Sequence, residues 1–150
     1  MVLIGTRVYS GAVTNEDIAV GAVVFYDAVG RILTVRKTNT RLFMLPGGKI
    51  ADSESPLDAA VREVAEELEV TLDPAKLTIL GSFTAPAANE PGQRVVATVY
   101  QYPETPNARP AAEIAEVQWL NPERHAGLIA PLLRDEVFPA LACRAPKATS

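Results

Sequence analysis

The sequence predicts an α/β fold in which helices cover a mixed β-sheet. Three observations carry the prediction. Apolar segments of strand composition recur along the chain with turn residues between them, a central segment has helical spacing, and a second helical segment comes near the end. The resulting order, strands, helix, strands, helix, is that of helices packed on a sheet.

Ile18 to Tyr26 is rich in Val, Ala and aromatic residues and stops at the turn signal Asp27-Ala28-Val29-Gly30. Arg31 to Val35 then alternates toward a second strand, so the pair reads as a β-hairpin. Leu42 to Leu45 is a short strand ended by Pro46-Gly47-Gly48, where proline stops pairing and two glycines open a special loop. A helix follows, with Ser55 as N-cap, Pro56 in its first position and Asp58 where a capping-box carboxylate sits. Val61, Val64, Ala65 and Leu68 fall on one face of it. Beyond Pro74, Leu77 to Phe83, Val95 to Tyr102 and Glu116 to Leu120 read as strands, separated by loops containing Pro86, Pro91, Pro103, Pro106 and Pro110. A last helix spans Pro131 to Leu141.

With 150 residues, 48% of them hydrophobic and 21% charged, the chain is expected to form one domain over residues 1–150, less ordered at 1–16 and 143–150. A net charge of -4 supplies no basic field for duplex nucleic acid or an anionic membrane. Cys143 is the one cysteine, which excludes an intramolecular disulfide. No apolar run approaches the ~18 residues of a membrane helix, and the N-terminus lacks a signal-peptide pattern, so a cytoplasmic location is expected.

The chemistry concentrates on the central helix. Glu63, Glu66 and Glu67 stand at i, i+3 and i+4, which puts three carboxylates on one side, largely opposite the apolar residues. Each close like-charge pair costs a few tenths of a kcal/mol unless a cation compensates, and hard oxygen ligands select Mg²⁺ or Mn²⁺. Magnesium takes few carboxylates and completes its shell with waters and phosphate oxygens, which suits an acidic helix beside a glycine loop. Alone, the same residues also read as the solvated face of an amphipathic helix.

From Gly48 to Val70 the chain runs GKIADSESPLDAAVREVAEELEV. This resembles the Nudix box, G-x5-E-x7-R-E-U-x-E-E-x-G-U with U aliphatic, matched by Gly48, Glu54, Arg62, Glu63, Val64, Glu66, Glu67 and Val70. The departure is Glu69, where the box has the glycine suited to a left-handed helix end. A side chain there costs about 1 kcal/mol if that conformation is kept, so a changed helix terminus is expected.

The resemblance implies the α/β/α Nudix sandwich and a metal-dependent pyrophosphohydrolase. It implies Glu63, Glu66 and Glu67 as ligands of Mg²⁺ or Mn²⁺, with the Gly48 carbonyl completing the set, Glu63 or a later carboxylate activating water, and Arg62 and Glu54 as buttresses. Relatives often add a carboxylate from outside the box; Glu113 is the first candidate and Glu116, alternating with Val117 on a strand, the second. Lys49 is a candidate phosphate contact, and the Phe83 to Gly92 loop, with Asn89 and Glu90, a candidate specificity wall. Trp119 is read as core rather than as a base-stacking residue, and His125 as a surface residue. A nucleoside triphosphate or modified nucleotide is the first substrate reading. ADP-ribose or a nucleotide sugar is the second, since a proline 16 residues past the box accompanies several ADP-ribose hydrolases and Pro86 stands 16 residues after Val70. A non-catalytic nucleotide sensor is the alternative of another class, and a homodimer remains open.

Overall fold

The computed structural model describes residues 17–125 and 127–144; residues 1–16 and 145–150, on which most of the expected lower order fell, lie outside the described residues. Strands β1 (Asp17–Val24), β2 (Ile32–Lys37), β3 (Phe43–Met44) and β4 (Gly47–Lys49) precede helix α1 (Pro56–Leu68). A 3-10 turn, Pro74–Lys76, leads to β5 (Thr78–Pro86), β6 (Arg94–Gln101) and β7 (Ile114–Leu120). The last helical segment is π-wound over Leu132–Val137 and becomes α2 over Phe138–Arg144, three residues beyond the expected end. Pro139 accounts for the widened turn: it has no N–H to return to the preceding turn, and just before it the Phe138 N–H reaches back five residues to the Leu133 carbonyl.

The strands divide into two sheets, β4-β1-β6-β5 and β3-β2-β7. The first is mixed, because β1 runs parallel to β6 and antiparallel to β4. The expected β1–β2 hairpin is therefore corrected. Asp27 N–H does bond the Arg31 carbonyl at 3.0 Å and Tyr26 bridges Ile32, so the turn exists. Beyond it the strands part, since both edges of β1 are taken by β4 and β6 and those of β2 by β3 and β7.

Strand β1 runs between two cores. Ala22 and Val24 join Leu133, Val137, Phe138 and Leu141 on the α2 side, whereas Val23 and Phe25 join Val64 and Leu68 on the α1 side. Burial on both faces explains why this strand is continuously apolar rather than alternating. Trp119 packs, half-buried, against the α1-side core, and His125 is half-buried on the Phe138 ring, 4.8 Å between centroids, rather than a plain surface residue. Among the described residues no helix is long and apolar enough to cross a membrane.

Candidate active site

The site is built where α1 meets β1 and β4. Ser55 Oγ accepts the Asp58 N–H at 3.0 Å with Pro56 behind it, so the helix starts as its residues dictate. The segment after Pro46, expected as a loop, pairs instead as β4, with Gly48 opposite Gly21. Both glycines let a neighbour approach closely, rigid backbone at Gly21 and the end of the Glu63 side chain at Gly48. A Cβ on Gly21 would overlap the Pro56 carbonyl oxygen, and one on Gly48 would overlap the Glu63 carboxyl group. Gly21 was not singled out from the sequence, where it is one small residue within an apolar strand.

Arg62 organises the acidic residues at the start of the site. Its guanidinium donates to both Glu54 oxygens at 2.8 and 2.9 Å, to Glu63 Oε2 at 2.8 Å and to the Lys49 carbonyl at 3.0 Å. Glu54 also accepts the Ala51 N–H at 2.8 Å. These bonds, chiefly those from Arg62, hold the Glu54 carboxyl at about 2, and the same carboxylates raise the pKa of Arg62. The loop before α1 is thereby tied to the helix and to β4, with Glu63 fixed against Gly48.

Glu67 is treated differently. The helical pattern set it opposite the apolar face, yet its side chain is buried with Ala60, Val64 and Leu68, while Ala65, expected inside, is exposed. Glu67 Oε1 accepts the Gly47 N–H at 3.1 Å, and Oε2 is buried without a hydrogen-bond partner among the described residues. Burial pushes this carboxyl up to about 8, against the lowering effect of the Gly47 N–H, and the neighbouring Glu63 raises it further. An orphaned buried carboxylate oxygen is costly, and a cation would supply the missing partner.

Glu63, Glu67 and Glu113 each bring a carboxylate oxygen to within 4.8 Å of the others. Glu113 is delivered by a backbone clasp: Arg109 N–H donates to the Leu68 carbonyl at 3.0 Å and Ala111 N–H to that of Glu67 at 2.9 Å, satisfying free carbonyls at the end of α1. A tight turn from Ala111 to Ile114, with Ala112 at φ 50°, then presents Glu113. Glu116 lies elsewhere, paired across the strands with Arg36 at 3.3 Å. Nor does the structure bring Glu66 into the group: its exposed side chain turns to Arg62 at 3.5 Å. The three-carboxylate set is all hard oxygen, which fits a divalent cation of the Mg²⁺ or Mn²⁺ kind.

At the end of α1, Glu69 adopts φ 57°, ψ 38° and donates its N–H to the Ala65 carbonyl at 3.1 Å. The expected change of helix terminus is thus corrected: the left-handed end is kept without glycine.

A cleft of about 130 Å³ adjoins the carboxylates through Gly47 and Gly48. Its walls are mostly apolar, from Ile18, Val20, Met44, Leu45, Val95 and Leu132, and Lys37, Lys49, Asn89 and Pro86 also line it. Lys49 pairs with Glu90 at 3.6 Å within this lining. Phe83 does not line the cleft; it packs, half-buried, against the α2-side core, a correction to its expected substrate role. Lys37 was missed because nothing in the local sequence marks it.

A family model, the NUDIX domain, matches residues 16–141. The chain belongs to that family of hydrolases. It is similar to the MutT protein of Methanosarcina mazei Go1, with 22% identity over 89% of this chain and 98% of that one and a TM-score of 0.73. The NUDIX domain of Shewanella oneidensis NrtR, solved with ADP ribose, is 19% identical over 91% of this chain and 93% of that one, TM-score 0.65. A bifunctional NMN adenylyltransferase/ADP ribose pyrophosphatase of Francisella tularensis, solved with AMP and an Mn ion, is 18% identical, TM-score 0.63, with 89% of this chain but 43% of that one covered. Among curated proteins, none matches the sequence significantly.

Proposed function

We propose that this chain is a divalent-metal-dependent pyrophosphohydrolase that cleaves a phosphoanhydride bond in a nucleoside diphosphate linked to a further group. The single observation that carries the reading is the orphaned Oε2 of Glu67, buried beside Glu63 and Glu113 at the edge of a cleft. In this reading Glu63, Glu67 and Glu113 hold the cation, and Arg62 and Glu54 keep Glu63 and the glycine backbone in place. When bound, the cation stabilises charge on phosphate oxygens as the anhydride breaks and makes water more acidic. Glu66, turned toward Arg62, has the smaller share, so Glu66→Gln costs less activity than Glu67→Gln.

The apolar cleft accepts the nucleoside end, with Asn89 as its polar contact and Lys49 toward the phosphates. Nucleoside triphosphates and modified nucleotides are the leading substrates. ADP-ribose or a nucleotide sugar is a second reading, favoured by Pro86 in the cleft wall and by the ADP ribose bound to the NrtR domain. A sensor without turnover is disfavoured by the complete carboxylate set. The test is release of phosphate or nucleotide from triphosphates, ADP-ribose, nucleotide sugars and dinucleoside polyphosphates, with Mg²⁺, Mn²⁺ or chelator. Metal-dependent cleavage of one class supports the reading, and silence across the panel by folded protein, with ligand bound unchanged over hours, replaces it with the sensor.

A further inference from the structure

Lys37 joins the carboxylate cluster to the cleft. Its Nζ lies 3.8 Å from Glu113 Oε2, and the same side chain lines the cleft beside Gly47 and Gly48. The backbone sets this position. Along β2 and β7, Val35 faces Val117 and Arg36 faces Glu116, but the register then shifts and Lys37 faces Ile114, so Ala115 is extra on β7. A bulge of this kind bends the strand and re-aims the side chains beside it. Just past it, the Thr38 N–H bonds the Glu113 carbonyl at 2.7 Å, fastening the end of β2 to the turn that carries Glu113. The lysine is therefore held at the acidic group by the sheet.

We infer that Lys37 is the built-in counterion of the carboxylate cluster and a phosphate-binding residue of the same site, exchanging Glu113 for a substrate phosphate oxygen when a divalent cation takes the carboxylates. The inference rests on the function proposed above. Without a divalent cation, the ammonium offsets part of the charge that Glu63 and Glu113 bring together, and so competes with metal for Glu113. With the carboxylates neutralised by metal, the ammonium loses its anion and has the cleft on its other side. A lysine is suited to such an exchange, being a point charge on a flexible stem rather than a fixed planar fork. The pair is partly exposed on both members, which keeps it weak enough to part.

The two roles predict shifts of opposite sign. Lys37→Met, of similar length and apolar stem, should bind Mn²⁺ alone about 3- to 5-fold more tightly, as expected for removal of a weak ionic competitor. The same variant at saturating Mn²⁺ should bind a nucleoside diphosphate about tenfold more weakly, as expected for a lost charge-assisted bond. Titration calorimetry reads both constants, and Lys37→Arg, which keeps the charge, should return each toward the wild-type value. Unchanged constants in Lys37→Met, or constants that move in the same direction, overturn the inference while leaving the hydrolase reading intact if the wild type binds Mn²⁺. Failure of the wild type itself to bind Mn²⁺ overturns both.

Discussion

Glu54 and Glu67 bracket α1, one just before its first turn and one in its last, and the fold treats them oppositely. Glu54 is saturated: two bonds from Arg62 and one from Ala51 hold it at about 2. Glu67 is buried with one oxygen on the Gly47 N–H and the other unpartnered, and burial lifts it to about 8. Residues of one chemical type on one motif thus divide into a carboxylate completed by the protein and one that the protein leaves incomplete. The first kind braces; the second is the cation ligand of the function proposed above.

The strongest way to break this comparison is Glu67→Gln. Loss of a direct ligand should lower kcat by about 100-fold or more, beyond the usual cost of losing a residue that only supports a ligand. The same change should raise metal-free stability at neutral pH by about 1–2 kcal/mol, because a carboxyl that burial lifts to about 8 must take up a proton on folding and the amide need not. Thermal melts in chelator should record this as a few degrees in Tm. A variant that lost both activity and stability would place Glu67 with the braces.

Arg62→Ala tests the other side. It strips Glu54 and Glu63 of charge-assisted bonds and should cost about 2 kcal/mol, measured by urea unfolding, together with activity. Glu54→Gln sharpens the point through pH. A carboxyl lowered from its ordinary 4.5 to about 2 contributes stability that is whole above about pH 4.5 and is lost as pH falls toward 2. Tm followed over that window should therefore fall less steeply in Glu54→Gln than in the wild type.

The helix end offers a smaller effect. Glu69→Gly should stabilise the protein by about 1 kcal/mol, since a side chain at φ 57° carries strain that glycine does not, and should leave kcat unchanged. Smallest is Glu90→Gln: its exposed pair with Lys49 contributes under about 0.5 kcal/mol, so Tm should stay within measurement error.

The elements and the box were legible because their signals are local. Ser55 and Pro56 start the helix as expected, and the expected strands appear, although β5 runs on to Pro86, into the segment expected as a loop, and β4 was not expected. What was hidden depends on non-local packing. Glu67 follows the buried Val64 by three residues and precedes the buried Leu68, so the end of the helix buries a wider face than the apolar residues marked. The place of Lys37 follows from a register shift between β2 and β7, strands about half the chain apart, and Phe83 packs against the core because of the sheet β5 joins. The division of β1 and β2 between two sheets likewise depends on partners far along the sequence, while the turn between them was plain.

Calorimetric titration of Mn²⁺ into the wild type and Glu67→Gln, without nucleotide, tests most directly whether the incomplete carboxylate is a cation ligand. The account predicts saturable binding by the wild type that weakens at least about tenfold in Glu67→Gln. Equal affinity in the two proteins would contradict it.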